Sequence, residues 1–100
     1  MLLIKFKCTV KNPTGIHARP AGYLAAIAKK FSNECRILLR KNVEDSENYC
    51  DASSVLSIMG ENFKCGDNVF VQVIFNDENK SDVNKDIIIQ ELNNILEKHF

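Results

Sequence analysis

The sequence predicts an α+β protein: an open-faced β-sandwich in which three helices cover one face of a four-stranded, mostly antiparallel sheet. The stretch "LLIKFKCTV" alternates apolar and polar residues, as a strand with one buried face does. From Ala18 onward the apolar residues instead recur every three or four positions, as in an amphipathic helix. Continued along the chain, the two patterns give the order β-α-β-β-α-β-α. The 100 residues suit a single domain, 1–100.

The first half of the chain contains the first strand, the first helix and the second and third strands. The first strand points five side chains inward: Leu2, Ile4, Phe6, Cys8 and Val10. "KNPTG" breaks this strand, and the helix that follows carries an apolar stripe: Ala21, Leu24, Ala25, Ala28 and Phe31. "ECRILLRK" alternates again, with Cys35, Ile37 and Leu39 inward. We expect the polar stretch 42–48 to be a loop and Tyr49 to Ala52 to form a short strand.

The second half contains a short helix, a strand and a long helix. Ser53 or Ser54 caps the short helix, whose apolar residues are Val55, Leu56, Ile58, Met59 and Phe63. "KCGDN" is a turn, and "VFVQVIF" is too apolar to be an edge strand exposed on both faces. Ser81 or Asp82 caps the last helix, whose stripe consists mostly of Ile88, Leu92, Ile95 and Leu96.

Composition excludes several classes of protein. Thirteen basic and thirteen acidic side chains cancel, which gives no support to nucleic-acid binding. The apolar N-terminal stretch is interrupted by lysines and does not read as a signal peptide, and no window is long enough for membrane insertion. We therefore expect a cytoplasmic protein. The four cysteines include no C-x-x-C pair, so we expect reduced, apolar side chains and neither a metal nor another cofactor.

The stretch "GIHARPA" (15–21) concentrates the chemistry of the chain. Gly15 permits an unusual backbone angle on the way into the helix, and Pro20 fits the first turn, where a missing N–H costs nothing. The other first-turn amides have no intrahelical partner and attract an anion. Arg19 adds a cation whose donors suit phosphate oxygens. A neutral His17 has one nitrogen lone pair that can act as a nucleophile.

These features together describe a histidine that accepts and holds a phosphoryl group, since such transfer depends on positioning and charge stabilisation. The competing interpretation is that His17 is an ordinary cap or surface residue and that Arg19 is merely solvated. A cation at a helix start is locally unfavourable, however, and calls for a compensating anion. A small domain without a second base or a nucleotide loop suits a carrier better than a stand-alone enzyme.

"PTGIHARPAGYLA" closely resembles the active-site signature of the histidine-containing phosphocarrier protein (HPr) family of the bacterial phosphoenolpyruvate-dependent sugar phosphotransferase system (PTS). The order of elements resembles that family along the whole chain. The resemblance implies a monomeric carrier for sugar transport, in which His17 is phosphorylated by enzyme I and passes the group to enzyme IIA units. It also implies that Arg19 holds the phosphate, while Gly15, Ala18 and Pro20 shape the start of the helix.

The family resemblance implies a second site, a regulatory serine that opens the short helix. The string "SIMG" nominates Ser57, whereas an alignment without gaps on "KCGD" nominates Ser54. A helix that starts at Ser54 has two to three turns, whereas a start at Ser57 leaves only about six residues before Lys64 and places Gly60 in its middle, which favours Ser54. The partners implied are the HPr kinase/phosphorylase and a catabolite-control transcription factor. The alternative function is thus a regulatory module for carbon metabolism that acts through protein binding, and an unmodified N-cap is the simplest role for either serine.

The short helix carries more apolar residues than its own packing needs, and we expect a partner surface beside His17 formed by Val55, Leu56, Ile58 and Met59. Two departures from the family pattern lie nearby. The loop from Arg40 to Tyr49 is several residues longer than the family's tight turn. Glu61 and Asn62 stand where family members tend to be apolar or small. Both departures bear on regulation and on the choice of partner rather than on the histidine.

Overall fold

The computed structural model describes residues 2–42, 48–76 and 85–98. Four strands lie within these residues: β1 (Leu2–Thr9), β2 (Cys35–Lys41), β3 (Cys50–Asp51) and β4 (Asn68–Phe75). The helices of the same residues are α1 (Ala18–Lys30), α2 (Val55–Gly60) and α3 (Lys85–Leu96). The order β-α-β-β-α-β-α is the one predicted, and the α+β class is confirmed.

The strands form one sheet in the order β1-β4-β2-β3, and each described pair is antiparallel. Val71 of β4 illustrates the register, because it lies opposite Phe6 on one side and Leu39 on the other. Alternate residues of β4 are buried, namely Val69, Val71, Val73 and Phe75. The apolar β4 is thus a central strand, as its composition suggested.

The core lies between the sheet and the helices. All five residues of the predicted α1 stripe are buried: Ala21, Leu24, Ala25, Ala28 and Phe31. In α3, Ile88, Leu92 and Leu96 are buried, and Ile95 packs against the core while partly exposed. Helix α1 packs against both α2 and α3.

Helix α2 is shorter than predicted. It has six residues, less than two turns, whereas a start at Ser54 suggested two to three turns. Glu61 caps its C-terminus, and Asn62 adopts a left-handed backbone with φ 57°, which an asparagine tolerates and a helix cannot continue through. Ser54 is the N-cap, as the gap-free alignment favoured.

Several predicted features lie outside the described residues. These are the helix caps Ser81 and Asp82 and positions 43–47 of the expected 42–48 loop. The described end of β2 is closed by Asn42, which has φ 60°. Its backbone N–H donates to the Asn68 carbonyl oxygen at 2.9 Å, and its Oδ1 accepts from the Asn68 N–H at 2.8 Å.

Candidate functional site

A buried asparagine shapes the loop that leads to His17. The side chain of Asn12, which is 2% exposed, donates through Nδ2 to the Gly15 carbonyl oxygen at 2.7 Å and to Thr14 Oγ1 at 2.9 Å. The Gly15 N–H donates back to the Asn12 carbonyl oxygen at 2.9 Å. These reciprocal hydrogen bonds close a tight turn just before the histidine.

Gly15 is required by both its backbone angle and its surroundings. Its φ of 72° lies in the left-handed region. A Cβ built on Gly15 would collide with the carbonyl oxygen of Phe63, in the segment after α2. That same oxygen accepts a hydrogen bond from the Ile16 N–H at 3.0 Å. The approach to His17 is therefore held against the segment that follows α2.

His17 is the N-cap of α1. Its backbone is extended, with φ −89° and ψ −166°, and its carbonyl oxygen accepts the Ala21 N–H at 3.0 Å. Its ring nitrogen Nδ1 accepts a hydrogen bond from the Arg19 N–H, with 3.5 Å between the two nitrogens. An accepting Nδ1 carries a lone pair, which assigns the proton of a neutral ring to Nε2. The lone pair thus faces the N-terminal turn of the helix.

The surroundings of Nδ1 favour negative charge. The Ala18 and Arg19 amides belong to the first turn and have no intrahelical acceptor, and Pro20 has no N–H to satisfy. The first turn, Ala18–Ala21, contains no acidic residue that would neutralise it. Arg19 is exposed at this end of the helix, whereas Pro20 is buried. His17 itself is partly exposed, so a group carried by a partner can approach its ring.

Arg19 contacts a tyrosine one turn further along α1. Its Nε lies 3.4 Å from Oη of Tyr23 and donates to it, and its Cζ lies 6.0 Å from the centroid of the Tyr23 ring. This hydrogen bond, and after it the positive charge of Arg19, lowers the pKa of Tyr23 below its ordinary value of 10.0. Tyr23 remains 43% exposed.

The two candidate serines occupy different positions at the start of α2. Ser54 is the partly exposed N-cap, and its Oγ accepts the Ser57 N–H at 3.2 Å. Ser57 lies within the helix and is exposed. Beside the cap, Asp51 Oδ1 accepts hydrogen bonds from Ser53 N–H at 2.9 Å and Ser53 Oγ at 2.8 Å. The bond from the Ser53 N–H is the main reason that the pKa of Asp51 is lowered.

The four residues predicted for the partner surface divide between surface and core. Leu56 is 83% exposed and Met59 is 42% exposed. Val55 is half-buried and packs against the core. The prediction is wrong for Ile58, which is fully buried because α2 turns this position toward the core. A partner can therefore contact Leu56 and Met59 but not Ile58.

Comparison with known proteins identifies the family. The family model for the PTS HPr component phosphorylation site matches residues 4–98. The chain is 30% identical over 95 residues to phosphocarrier protein HPr of Mycoplasma pneumoniae, covering 95% of this chain and 94% of that protein. It is 32% identical over 77 residues to phosphocarrier protein HPr of Mycoplasma genitalium, covering 77% and 82%. The chain belongs to the HPr family.

The fold agrees with this membership. A solved structure of a mycoplasma histidine-containing phosphocarrier protein, 27% identical in sequence, superposes with a TM-score of 0.70 and covers 92% of this chain and 90% of its own. Membership in the HPr family places the chain among the phosphocarriers of the PTS. Within the residues that the structure describes, no helix is both long and apolar enough to span a membrane.

Two residues of this HPr-family site were missed in the sequence. Asn12 begins the run "NPTG", in which an asparagine followed by proline and glycine is a turn signal that identifies the loop. Tyr23 lies four positions after Arg19, the spacing at which side chains on a helix contact each other. This spacing could have been recognised from the sequence. The close approach of Gly15 to Phe63 had no comparable signal, because the two residues are far apart in the chain.

Proposed function

We propose that this chain carries a phosphoryl group on His17, accepting it from enzyme I and passing it to sugar-specific enzyme IIA units. The observation that carries the proposal is the orientation of the ring, whose Nδ1 accepts from the Arg19 N–H at the start of α1. A phosphoryl group on Nδ1 would lie beside amides that lack an intrahelical acceptor. Family membership supports the same role.

The transfer step needs only the ring and its surroundings. The Nδ1 lone pair attacks phosphorus, a P–Nδ1 bond forms, and the bond from phosphorus to the donor atom breaks, with its electron pair leaving on the donor. Nε2 keeps its proton during the attack and can then release it to solvent. The reverse step delivers the group to an acceptor, so His17 works as a relay.

Arg19 is the proposed phosphate partner. Its guanidinium group is permanently charged, and its planar fork of donors matches phosphate oxygens. Loss of one charge-assisted contact to phosphate corresponds to a rate decrease of about 10- to 100-fold. We expect Arg19→Ala to slow transfer by this amount with the fold intact, because Arg19 is exposed and contributes nothing to the core. A transfer rate equal to that of the wild type would remove Arg19 from the mechanism.

The proposed docking surface lies on α2 beside the histidine. Leu56 and Met59 expose apolar area there, and the segment after α2 is bonded to the residue before His17. Exposed apolar residues of this kind suit a transient partner that must bind and leave quickly. Leu56→Glu should weaken transfer from enzyme I while leaving stability nearly unchanged.

The deciding experiment is labelling with enzyme I and radioactive phosphoenolpyruvate. The wild type should take up one acid-labile phosphoryl group per chain, and His17→Ala should take up none. The chain has one other histidine, His99, so His99→Ala is the matched control and should label fully. Full labelling of His17→Ala, or loss of labelling in His99→Ala alone, would contradict the proposal.

The second candidate function is regulation through a serine of α2. The observation in its favour is that Ser54, the residue nominated by the gap-free alignment, is a partly exposed N-cap. The HPr kinase/phosphorylase would add an acid-stable phosphate there, and the modified protein would bind a catabolite-control transcription factor. Labelling that persists in Ser57→Ala and disappears in Ser54→Ala would support this function. No labelling of the wild type by the kinase would refute it.

A carrier that receives its phosphoryl group from enzyme I would act in the cytoplasm. We propose that it is a monomer, that residues 1–100 form one domain and that it needs no cofactor. Sedimentation of the phosphorylated and unphosphorylated proteins would test the monomer.

A further inference from the structure

We propose that Tyr23 is a positioning residue for Arg19, which it holds at the first turn of α1, where the phosphoryl group on His17 would be stabilised. The inference rests on the proposed phosphocarrier function and deepens it. Tyr23 lies outside "GIHARPA" and would act through Arg19 alone.

The geometry joins the two side chains through two contacts. Arg19 Nε donates to Tyr23 Oη at 3.4 Å, and the guanidinium carbon lies 6.0 Å from the ring centroid, within the range of a cation–π interaction. The spacing of four residues places both side chains on one helix face. The hydrogen bond engages Nε, and the paired Nη donors that suit phosphate lie at the opposite end of the guanidinium group.

The direction of helical side chains brings this contact to the His17 end of α1. A side chain on an α-helix leans toward the N-terminus and covers the turn before its own Cα. Tyr23 therefore covers the turn that contains Arg19 and Pro20. The contact with Tyr23 therefore restricts where the Arg19 guanidinium group can lie at this end of the helix.

The tyrosine side chain is less flexible than the arginine side chain that it contacts. Tyr23 is one of the residues that line a groove between α1 and α3, together with Ala26, Ile27, Glu91, Asn94 and Ile95. A tyrosine side chain has only two rotatable angles, so its ring loses little entropy when it holds a partner. The arginine side chain, in contrast, is long and flexible, so ordering it around the phosphoryl group costs conformational entropy. That cost is smaller if another residue already restricts the side chain.

The test removes one hydroxyl group. Tyr23→Phe keeps the ring and loses the Oη acceptor, and we expect phosphoryl transfer from enzyme I to His17 to slow about two- to fivefold, as befits an exposed contact. The chain has one other tyrosine, Tyr49. Tyr49→Phe also removes one hydroxyl group, so it is the matched control and should transfer at the wild-type rate. A rate in Tyr23→Phe equal to or above the wild-type rate would overturn the proposal.

A double-mutant cycle separates positioning from a general effect. If Tyr23 acts through Arg19, adding Tyr23→Phe to Arg19→Ala should change nothing further. An equal slowing in both backgrounds would show that Tyr23 acts by another route and would overturn the proposal. The Arg19 Nε–H resonance gives a readout independent of transfer: it should shift in Tyr23→Phe and stay in place in Tyr49→Phe. An unmoved resonance in Tyr23→Phe would equally count against the contact.

A donor without a docking surface distinguishes positioning from partner binding. Phosphoramidate can phosphorylate His17 directly, with ammonia as the leaving group, and Tyr23→Phe should slow this reaction as well. Slowing with enzyme I alone would make Tyr23 a docking residue and overturn its positioning role. If the wild type takes no label on His17 from either donor, the proposed function itself fails. If the wild type labels and Tyr23→Phe labels equally fast, only the role of Tyr23 fails.

Discussion

The carbonyl oxygen of Phe63 accepts a hydrogen bond from the backbone amide of Ile16 at 3.0 Å. This contact joins the residue before His17 to the segment that follows α2. It needs Gly15, since any Cβ there would collide with the same oxygen. Leu56, in the proposed docking surface, is exposed on α2. The Ile16–Phe63 hydrogen bond therefore connects the loop that carries the proposed nucleophile to the segment that follows the proposed docking helix.

A series of three glycine variants should separate backbone strain from collision. Gly15→Ala combines a φ of 72° with the collision at Phe63, and we expect it to lower the free energy of unfolding by about 2–5 kcal/mol. Gly66→Ala has φ 93° but open space around the added methyl group, so about 1–2 kcal/mol is expected. Urea denaturation measures both.

Gly60→Ala is the control of this series. It has no neighbour within 4 Å of a built Cβ and no positive φ, and it lies at the end of α2. Alanine there should be neutral or stabilising by up to about 1 kcal/mol, because it restricts the unfolded chain. If Gly15→Ala cost no more than Gly66→Ala, the proposed close contact at Phe63 would be wrong.

The cap of α2 gives a second prediction. Ser54 Oγ accepts the Ser57 N–H, so Ser54→Ala should lower the free energy of unfolding by about 1 kcal/mol. Ser57→Ala should change it by less than about 0.5 kcal/mol, because Ser57 is exposed and its hydroxyl makes no hydrogen bond within the described residues. Ser54→Asp keeps an acceptor at the cap and should recover the stability. Equal losses in Ser54→Ala and Ser57→Ala would contradict the cap assignment.

Local features were predictable from the sequence and distant contacts were not. The stripe of α1, the cap role of Ser54 and the placement of His17 at a helix start each depend on neighbours within a few residues. The burial of Ile58 and the exposure of Leu56 depend instead on how α2 packs against the rest of the protein. The short length of α2 follows from the left-handed backbone of Asn62, which its residue type permits but does not dictate.

The cysteines should differ sharply in reactivity. Cys65 is exposed, whereas burial raises the pKa of each of the other three thiols to about 11. The thiolate is the reactive form, so at about pH 8 only about one in a thousand molecules of a thiol with that pKa is reactive. A thiol reagent should modify Cys65 of the native chain quickly, the partly buried Cys50 slowly, and the buried Cys8 and Cys35 at the rate of unfolding. Cys65→Ser should abolish the fast phase, and a fast phase that survives would contradict this assignment.

Asp67 supports the turn after Phe63. Its Oδ2 accepts the Lys64 N–H at 2.8 Å, and its Oδ1 accepts Asn42 Nδ2 at 3.4 Å. The bond from the Lys64 amide is the main reason that the pKa of Asp67 lies below its ordinary value of 3.8. The folded protein therefore binds this proton less tightly than the unfolded chain. Its contribution to stability is complete above the ordinary value and is lost as the pH falls through the lowered one.

Asp67→Asn removes the titrating group and keeps an oxygen that can accept the Lys64 N–H. We expect the variant to lose less stability than the wild type between about pH 6 and about pH 2, with a difference on the order of 1 kcal/mol because Asp67 is partly exposed. Urea denaturation across this range measures the difference. The two proteins should converge at the acid end, where the wild-type carboxyl is protonated. If the free energies of unfolding of the two proteins changed with pH in parallel, the charge of Asp67 would contribute nothing to stability, and this prediction would be wrong.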